Sequence, residues 1–395
     1  MISPILSFVY ALKRFRNRNY HVIILLFAFL FGYSFIPYEN SDTERYKHYY
    51  EIVTQFSLNE YIQEISLTYS GGATFPDIYL PSLMFITSVF GASFKVFIGV
   101  QAVIYFDFFL GILNTILDQV KNAEYKKYIV FFLGCVFIYS FSSGINGIRF
   151  PTAFMVFMYF TLKYLFNPKL IYIILVGLSC LIHIALLQAY LGFICFIAIN
   201  KINNKYLKTL IIVGFVGLLY SLNIQETTQL INNDIISQKV QDYTNENYIE
   251  QREAHTKKWN WYIQFNQYSN FYFLIGMVFL SMFKFKANPI VKRLFLITLV
   301  FLIISMFNEL YLDPISNRYR EFFEFFALIY LIILFAFSPA SRFKNIANKI
   351  YSVILLITIL IQLRSLSYNL DFIRLSISPV INLFEFDSVN IYHFL

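Results

Sequence analysis

The chain has 395 residues, of which 58% are hydrophobic, 20% aromatic and only 14% charged, with a net charge of +8. Soluble domains carry about 25% charged residues, so this composition excludes an ordinary water-soluble globular protein. Most of the basic residues lie in short connections between apolar runs. The positive-inside rule accounts for them there, and no nucleic-acid partner is expected.

In chain order, apolar segments fall at 22–38, 78–92, 94–117, 128–144, 149–165, 169–184, 186–200, 207–223, 268–284, 290–308, 319–338 and 349–367. They are apolar all round rather than alternating at period two, which predicts membrane helices and argues against a β-barrel. The expected fold is all-α: one polytopic integral membrane domain over 1–395. The stretch "KRFRNRNY" before the first segment, with no small-residue cleavage site after it, reads as a signal anchor with the N-terminus in the cytoplasm.

Later basic connections, such as "NKINNKYLK" (200–208) and "SRFKNIANK" (341–349), all become cytoplasmic on one assumption. The segment 78–92, short and bounded by Pro76, Pro81 and Gly91, must be a re-entrant or interfacial hairpin, tolerated where protein buries it. About eleven crossings follow. The loop 39–77, the turn "SSGINGIR", the turn near His183, the long loop 224–267 and "NELYLDPISNRYR" are then all outside.

Candidate chemistry gathers in those outer connections. In "SSGINGIRFPTAFMVFMYF" (142–160), glycines and Pro151 predict a turn followed by a helix beginning near residue 150. Arg149 then stands at a helix N-terminus, where unpaired N–H groups favour an anion and a guanidinium fork suits a phosphate or pyrophosphate. A cation snorkelling to lipid headgroups fits the same position.

The apolar stretch 170–200 has basic flanks and is too long for one crossing, so it folds back at His183. That histidine is a candidate for proton transfer or a buried hydrogen-bonding group. Arg318 and Arg320 open the crossing at 319–338 and are further phosphate candidates or interfacial anchors. In the long loop, Arg252, His255, Trp259 and Trp261 offer cations, a proton carrier and rings for sugar stacking, or an aromatic belt before the crossing. Cys135, Cys180 and Cys195 lie inside apolar segments without metal-ligand spacing and read as small hydrophobes. No metal or other cofactor is expected.

In "SDTERYKHYYE" (41–51), Asp42, Tyr46 and Tyr50 recur every four residues along one helical face. With "INGIRFPTA" and then "IHIA", this order resembles the EpsG-like family of polysaccharide polymerases, relatives of the Wzy O-antigen polymerases. Asp42 and Tyr46 match its Asp-x-x-x-Tyr element, and Asn146, Arg149 and Ala153 its Asn-x-x-Arg-Gln-x-x-Ala element. His183 matches its histidine followed by a small residue. Two departures stand out: Phe150 replaces the usual Gln, and Pro151 is unusual within the motif.

The resemblance implies a GT-C-like membrane glycosyltransferase at the outer face of the bacterial inner membrane. It would polymerise undecaprenyl-pyrophosphate-linked oligosaccharide repeat units into O-antigen, capsule or exopolysaccharide. Arg149, Arg318 and Arg320 would hold the pyrophosphate, and His183 or Asp42 would act as base. Asn146, Tyr46, Arg252, His255 and Trp259 would handle the glycan. The bilayer and a chain-length regulator are the further partners it implies. A ligase of lipid-linked glycan and a flippase or exporter of the same units are the rival readings.

Overall fold

The computed structural model describes residues 3–37, 41–70, 77–137, 143–223, 261–284, 288–311, 313–339 and 341–371. The first half of the chain forms α1 (Pro4–Leu12), α2 (Arg18–Tyr33), α3 (Asp42–Val53), α4 (Leu58–Ser70), α5 (Tyr79–Val89), α6 (Phe94–Val120), a 3-10 turn at Tyr125–Lys127, α7 (Ile129–Phe137), α8 (Ser143–Asn146) and α9 (Arg149–Phe166). The second half forms α10 (Leu170–Ile182), α11 (Leu186–Lys201), α12 (Lys205–Asn223), α13 (Trp261–Lys284), α14 (Pro289–Tyr311), α15 (Asp313–Phe337) and α16 (Arg342–Asn369). Among the described residues, the one β feature is an isolated bridge between Phe35 and Leu370.

The protein is a helical membrane protein. Among the described residues, three stretches are both long and apolar enough to cross a bilayer by themselves: Phe94–Val120, Pro289–Glu309 and Arg342–Arg364. Shorter apolar helices, including Arg18–Tyr33, Leu170–Ile182 and Leu186–Lys201, pack beside them. A helix that is apolar on every face can be covered by lipid or by protein, and α15 is the one most fully covered by protein among the described residues. Every residue from Phe322 to Ala336 is buried, enclosed by α14, α7, α13 and α6. Its C-terminal carbonyls are capped by Lys344, whose ammonium donates to the Phe335 oxygen at 2.6 Å and the Ser338 oxygen at 3.1 Å. Around this axis, α2 lies along α6, α6 on α9, α9 on α10, and α11 on α14.

Several connections differ from the sequence expectation. The segment before the first apolar run is itself helical: α1 folds back along α2, with Phe8 stacked on Phe27 at 4.2 Å and Tyr10 tilted against Tyr20 at 5.7 Å. The 39–77 connection contains α3 and α4. Ser41 starts the first of these by accepting a hydrogen bond from the Glu44 amide. The 78–92 segment is one helix, α5, and not a hairpin of its own. A turn at Gly91 (φ 65°) leads directly into α6. Its 11 residues span about 16 Å at 1.5 Å each, roughly half the hydrocarbon thickness.

The fold-back at His183 is present. His183 leaves the helical region (φ −154°, ψ 117°) and separates α10 from α11. Gly177 then faces Tyr190 so closely that a Cβ on the glycine would lie 3.1 Å from the tyrosine ring. Residues on either side of the histidine thus meet across an antiparallel pair. Arg318 and Arg320 do not open their helix as expected. It begins earlier, at Asp313, because Pro314 in the first turn has no N–H to lose there and carries φ near the helical value. Both arginines therefore lie in the second turn.

Candidate functional site

The turn between α8 and α9 is held from below by a buried polar relay. Gln101, in α6, donates to the Thr152 hydroxyl at 2.6 Å and to the Gly144 carbonyl at 3.3 Å. Its own carbonyl accepts from the Tyr79 hydroxyl at 2.6 Å. Gly144 rests on the Tyr105 ring, and a Cβ there would come within 2.6 Å of ring atoms. Satisfied buried groups of this kind have few alternative arrangements, so the turn is fixed against α5 and α6.

Above that support, Arg149 is the first residue of α9. Its Nη1 donates to Asp77 Oδ2 at 2.8 Å, and the Asp77 side chain is only 4% exposed. The Tyr46 phenol reaches the same guanidinium, while its burial raises the phenol above its ordinary value. Arg149 Nε is buried without an acceptor. The α3 helix docks beside it: Asn146 Oδ1 accepts from the Thr43 hydroxyl at 2.9 Å and from the Thr43 amide at 3.3 Å. Arg149 is thus already neutralised on one edge.

Phe150, where the family pattern has Gln, joins two further elements. The Arg318 guanidinium lies over its ring at 5.1 Å, and the His183 ring meets it edge-on at 5.6 Å. The His183 turn is tied to α15 through Tyr319, whose hydroxyl donates to the Ala185 carbonyl at 2.6 Å. His183 Nδ1 accepts from the Ala185 amide at 3.1 Å. An accepting Nδ1 carries no proton, so the neutral ring is the Nε2–H tautomer. In that form Nε2 donates hydrogen bonds and has no lone pair for a proton.

Arg149, Asn146, Tyr46, His183 and Arg318 therefore assemble around the first turn of α9. Arg320 and Asp42 turn elsewhere. Arg320 faces α13 and α14: it pairs with Glu309 at 3.3 Å and lies over Tyr268 at 4.6 Å and Phe271 at 5.2 Å. Two residues along a helix differ by roughly 200° in direction, which sends Arg318 and Arg320 to opposite sides of α15. Asp42 does not continue the buried face of Tyr46 and Tyr50; it is half-exposed and pairs with Arg45. Arg252, His255 and Trp259 lie outside the described residues, and Trp261 opens α13 with 76% of its surface exposed.

Asp77, Gln101 and Tyr319 were not anticipated. Asp77 had one signal in "FPDIYLP": a lone acid between prolines at a helix start, and its Oδ1 does accept from the Leu80 amide at 3.3 Å. Gln101, an isolated amide in an apolar helix, had a weaker one. Among the described residues, no group of three His, Cys, Asp or Glu could hold a metal. The three cysteines are free thiols.

These features define a helical membrane protein with a cationic, aromatic-lined first helical turn formed from four sequence-distant segments. The chain belongs to the EpsG family, whose model matches residues 17–376. No curated protein and no solved structure matches it.

Proposed function

We propose that the protein is a membrane glycosyltransferase that polymerises undecaprenyl-pyrophosphate-linked oligosaccharide units into a surface polysaccharide. One observation carries the reading: Arg149 opens α9, and Arg318 and His183 both lie against the ring of the next residue, Phe150. A leaving pyrophosphate needs cations and aligned N–H donors where its charge develops. The helix N-terminus, the two guanidiniums and the Nε2–H of His183 are donors of that kind. No nucleotide-binding glycine motif accompanies them, which suits a lipid-linked donor.

In this reading α9 starts at the outer face of the bacterial inner membrane, the N-terminus is cytoplasmic, and the helices make about eleven crossings in a GT-C-like arrangement. Asn146 and Tyr46 border the glycan. Arg252, His255 and Trp259 belong to an outer loop that handles the chain, and a chain-length regulator is the protein partner. Arg320 supports the fold of this region and does not touch the phosphate.

The test is the surface glycan of a deletion strain. A polymerase loss leaves single repeat units on the surface; loss of a flippase leaves none. Unchanged long chains would refute the assignment altogether.

A further inference from the structure

We propose that α4 lies in the surface of the bilayer, with the Leu58 and Ile62 side chains among the lipid acyl chains. A reciprocal cap fixes where this helix begins. The Ser57 amide donates to the Glu60 carboxylate at 2.7 Å, and the Ser57 hydroxyl oxygen accepts from the Glu60 amide at 3.3 Å. From that start Leu58 and Ile62 fall one turn apart on one edge, 60% and 55% exposed. Asn59, Glu60 and Gln63 are exposed on another side. A helix with one apolar edge, a polar face and low overall hydrophobicity suits the boundary between headgroups and acyl chains.

The height of α4 in the bilayer follows from α5 and α6. The 27 residues of α6 make about 40 Å of helix against about 30 Å of hydrocarbon, so each end stands roughly 5 Å outside it. Tyr79, at the start of α5, donates to Gln101, which lies about 10 Å along α6 from its start. The turn at Gly91 brings the other end of α5 back to the start of α6. Phe85 lies between these two levels, at the edge of the hydrocarbon.

The Tyr61 ring rests flat on Phe85 at 4.3 Å, and its hydroxyl is 2.8 Å from the Ser82 hydroxyl. These contacts hold α4 at that boundary. Ile86 and Val89, on α5 beside the stack, are exposed as well. The Leu58–Ile62 edge therefore continues an apolar surface at the depth where lipid surrounds the protein. The placement stands apart from the glycan chemistry proposed above.

The full-length protein, lacking Cys135, Cys180 and Cys195, should be spin-labelled at single cysteines placed at 58, 60, 62 or 63. It is then reconstituted in vesicles of phosphatidylethanolamine and phosphatidylglycerol. Collision with oxygen, which enters the acyl region, is compared with collision with a water-soluble nickel chelate. The expected oxygen-to-nickel ratio is several-fold higher at 58 and 62 than at 60 and 63. Nickel dominating at 58 and 62 places the edge in water and overturns the proposal. Shielding from both reagents there shows a protein covering and also overturns it. A readout without substitutions uses wild-type protein and a phospholipid carrying a photoactivatable carbene precursor in its acyl chain. Mass spectrometry should find adducts on Leu58 or Ile62, and a peptide 58–65 free of adducts overturns the placement.

Residues 54–57 alone separate α4 from α3, whose Thr43 bonds Asn146 beside Arg149. On the polymerase reading, anchoring α4 therefore also steadies the site. Ile62→Asp should shorten the glycan at unchanged protein level, and Gln63→Asp should leave it long. Long chains from Ile62→Asp overturn this link, while the collision profile decides the membrane placement separately.

Discussion

Gln101 and Thr152 are joined by a 2.6 Å hydrogen bond that ties the N-terminal third of α6 to the first turn of α9. The same amide also serves Tyr79 and the Gly144 carbonyl, so one side chain positions three parts of the site. Replacing Gln101 with Leu keeps the volume similar and removes the shared partner. Stranding a buried polar group costs about 1–3 kcal/mol. Gln101→Leu should therefore lower the thermal unfolding midpoint of the purified protein and shorten the glycan, without changing any group proposed to touch substrate.

Arg149→Lys separates charge from geometry. Lysine still neutralises Asp77 but lacks the planar fork. The expected outcome is normal membrane abundance and a glycan pattern reduced to single or very short units. Arg149→Ala should give the same glycan pattern with less protein, since removing one partner of a buried ion pair costs about 3–5 kcal/mol. Immunoblots beside glycan gels check both.

For His183, the engaged Nδ1 makes donation from Nε2 the relevant property. Gln can also donate from a side-chain amide, whereas Phe keeps only the ring. His183→Gln should retain polymerisation within about tenfold, and His183→Phe should fall by roughly 100-fold, the range of a lost donor to developing charge. Equal losses in the two variants would show that shape alone matters there.

Arg318 and Arg320 should give different phenotypes despite their closeness in sequence. Arg318→Ala leaves Glu309 and the α13 contacts in place, so folding should persist while chain length drops. Arg320→Ala strands Glu309 and removes the cation over Tyr268 and Phe271. It should lower the unfolding midpoint and protein yield. Thermal stability measured alongside glycan length distinguishes the two.

Orientation is testable with cysteines in a background lacking Cys135, Cys180 and Cys195. Ser143→Cys, at the start of α8, should react with an impermeant thiol reagent in intact cells. Asn203→Cys, in the exposed connection after α11, should react only after permeabilisation. The opposite pattern would invert the proposed topology.

Much of the local structure can be read from residue order. The turn before Arg149 follows from its glycines and Pro151, and the break at His183 follows from an apolar stretch too long for one crossing. Both signals are short-range: proline geometry, helix-end hydrogen bonding and the length of a hydrophobic run act over a few turns. The same is true of the apolar run in α15, which already reads as a membrane-spanning helix.

Partner choice required the tertiary structure. Asp42 has the spacing to share a face with Tyr46, yet Asp77, from a different connection, meets Arg149. Arg318 and Arg320 look equivalent in the chain, but a helix sends them to opposite sides, one to Phe150 and one to Glu309. Periodicity specifies which way a side chain points from its own helix. Which charge it meets depends on how separate helices pack, and that is decided by contacts between residues far apart in sequence.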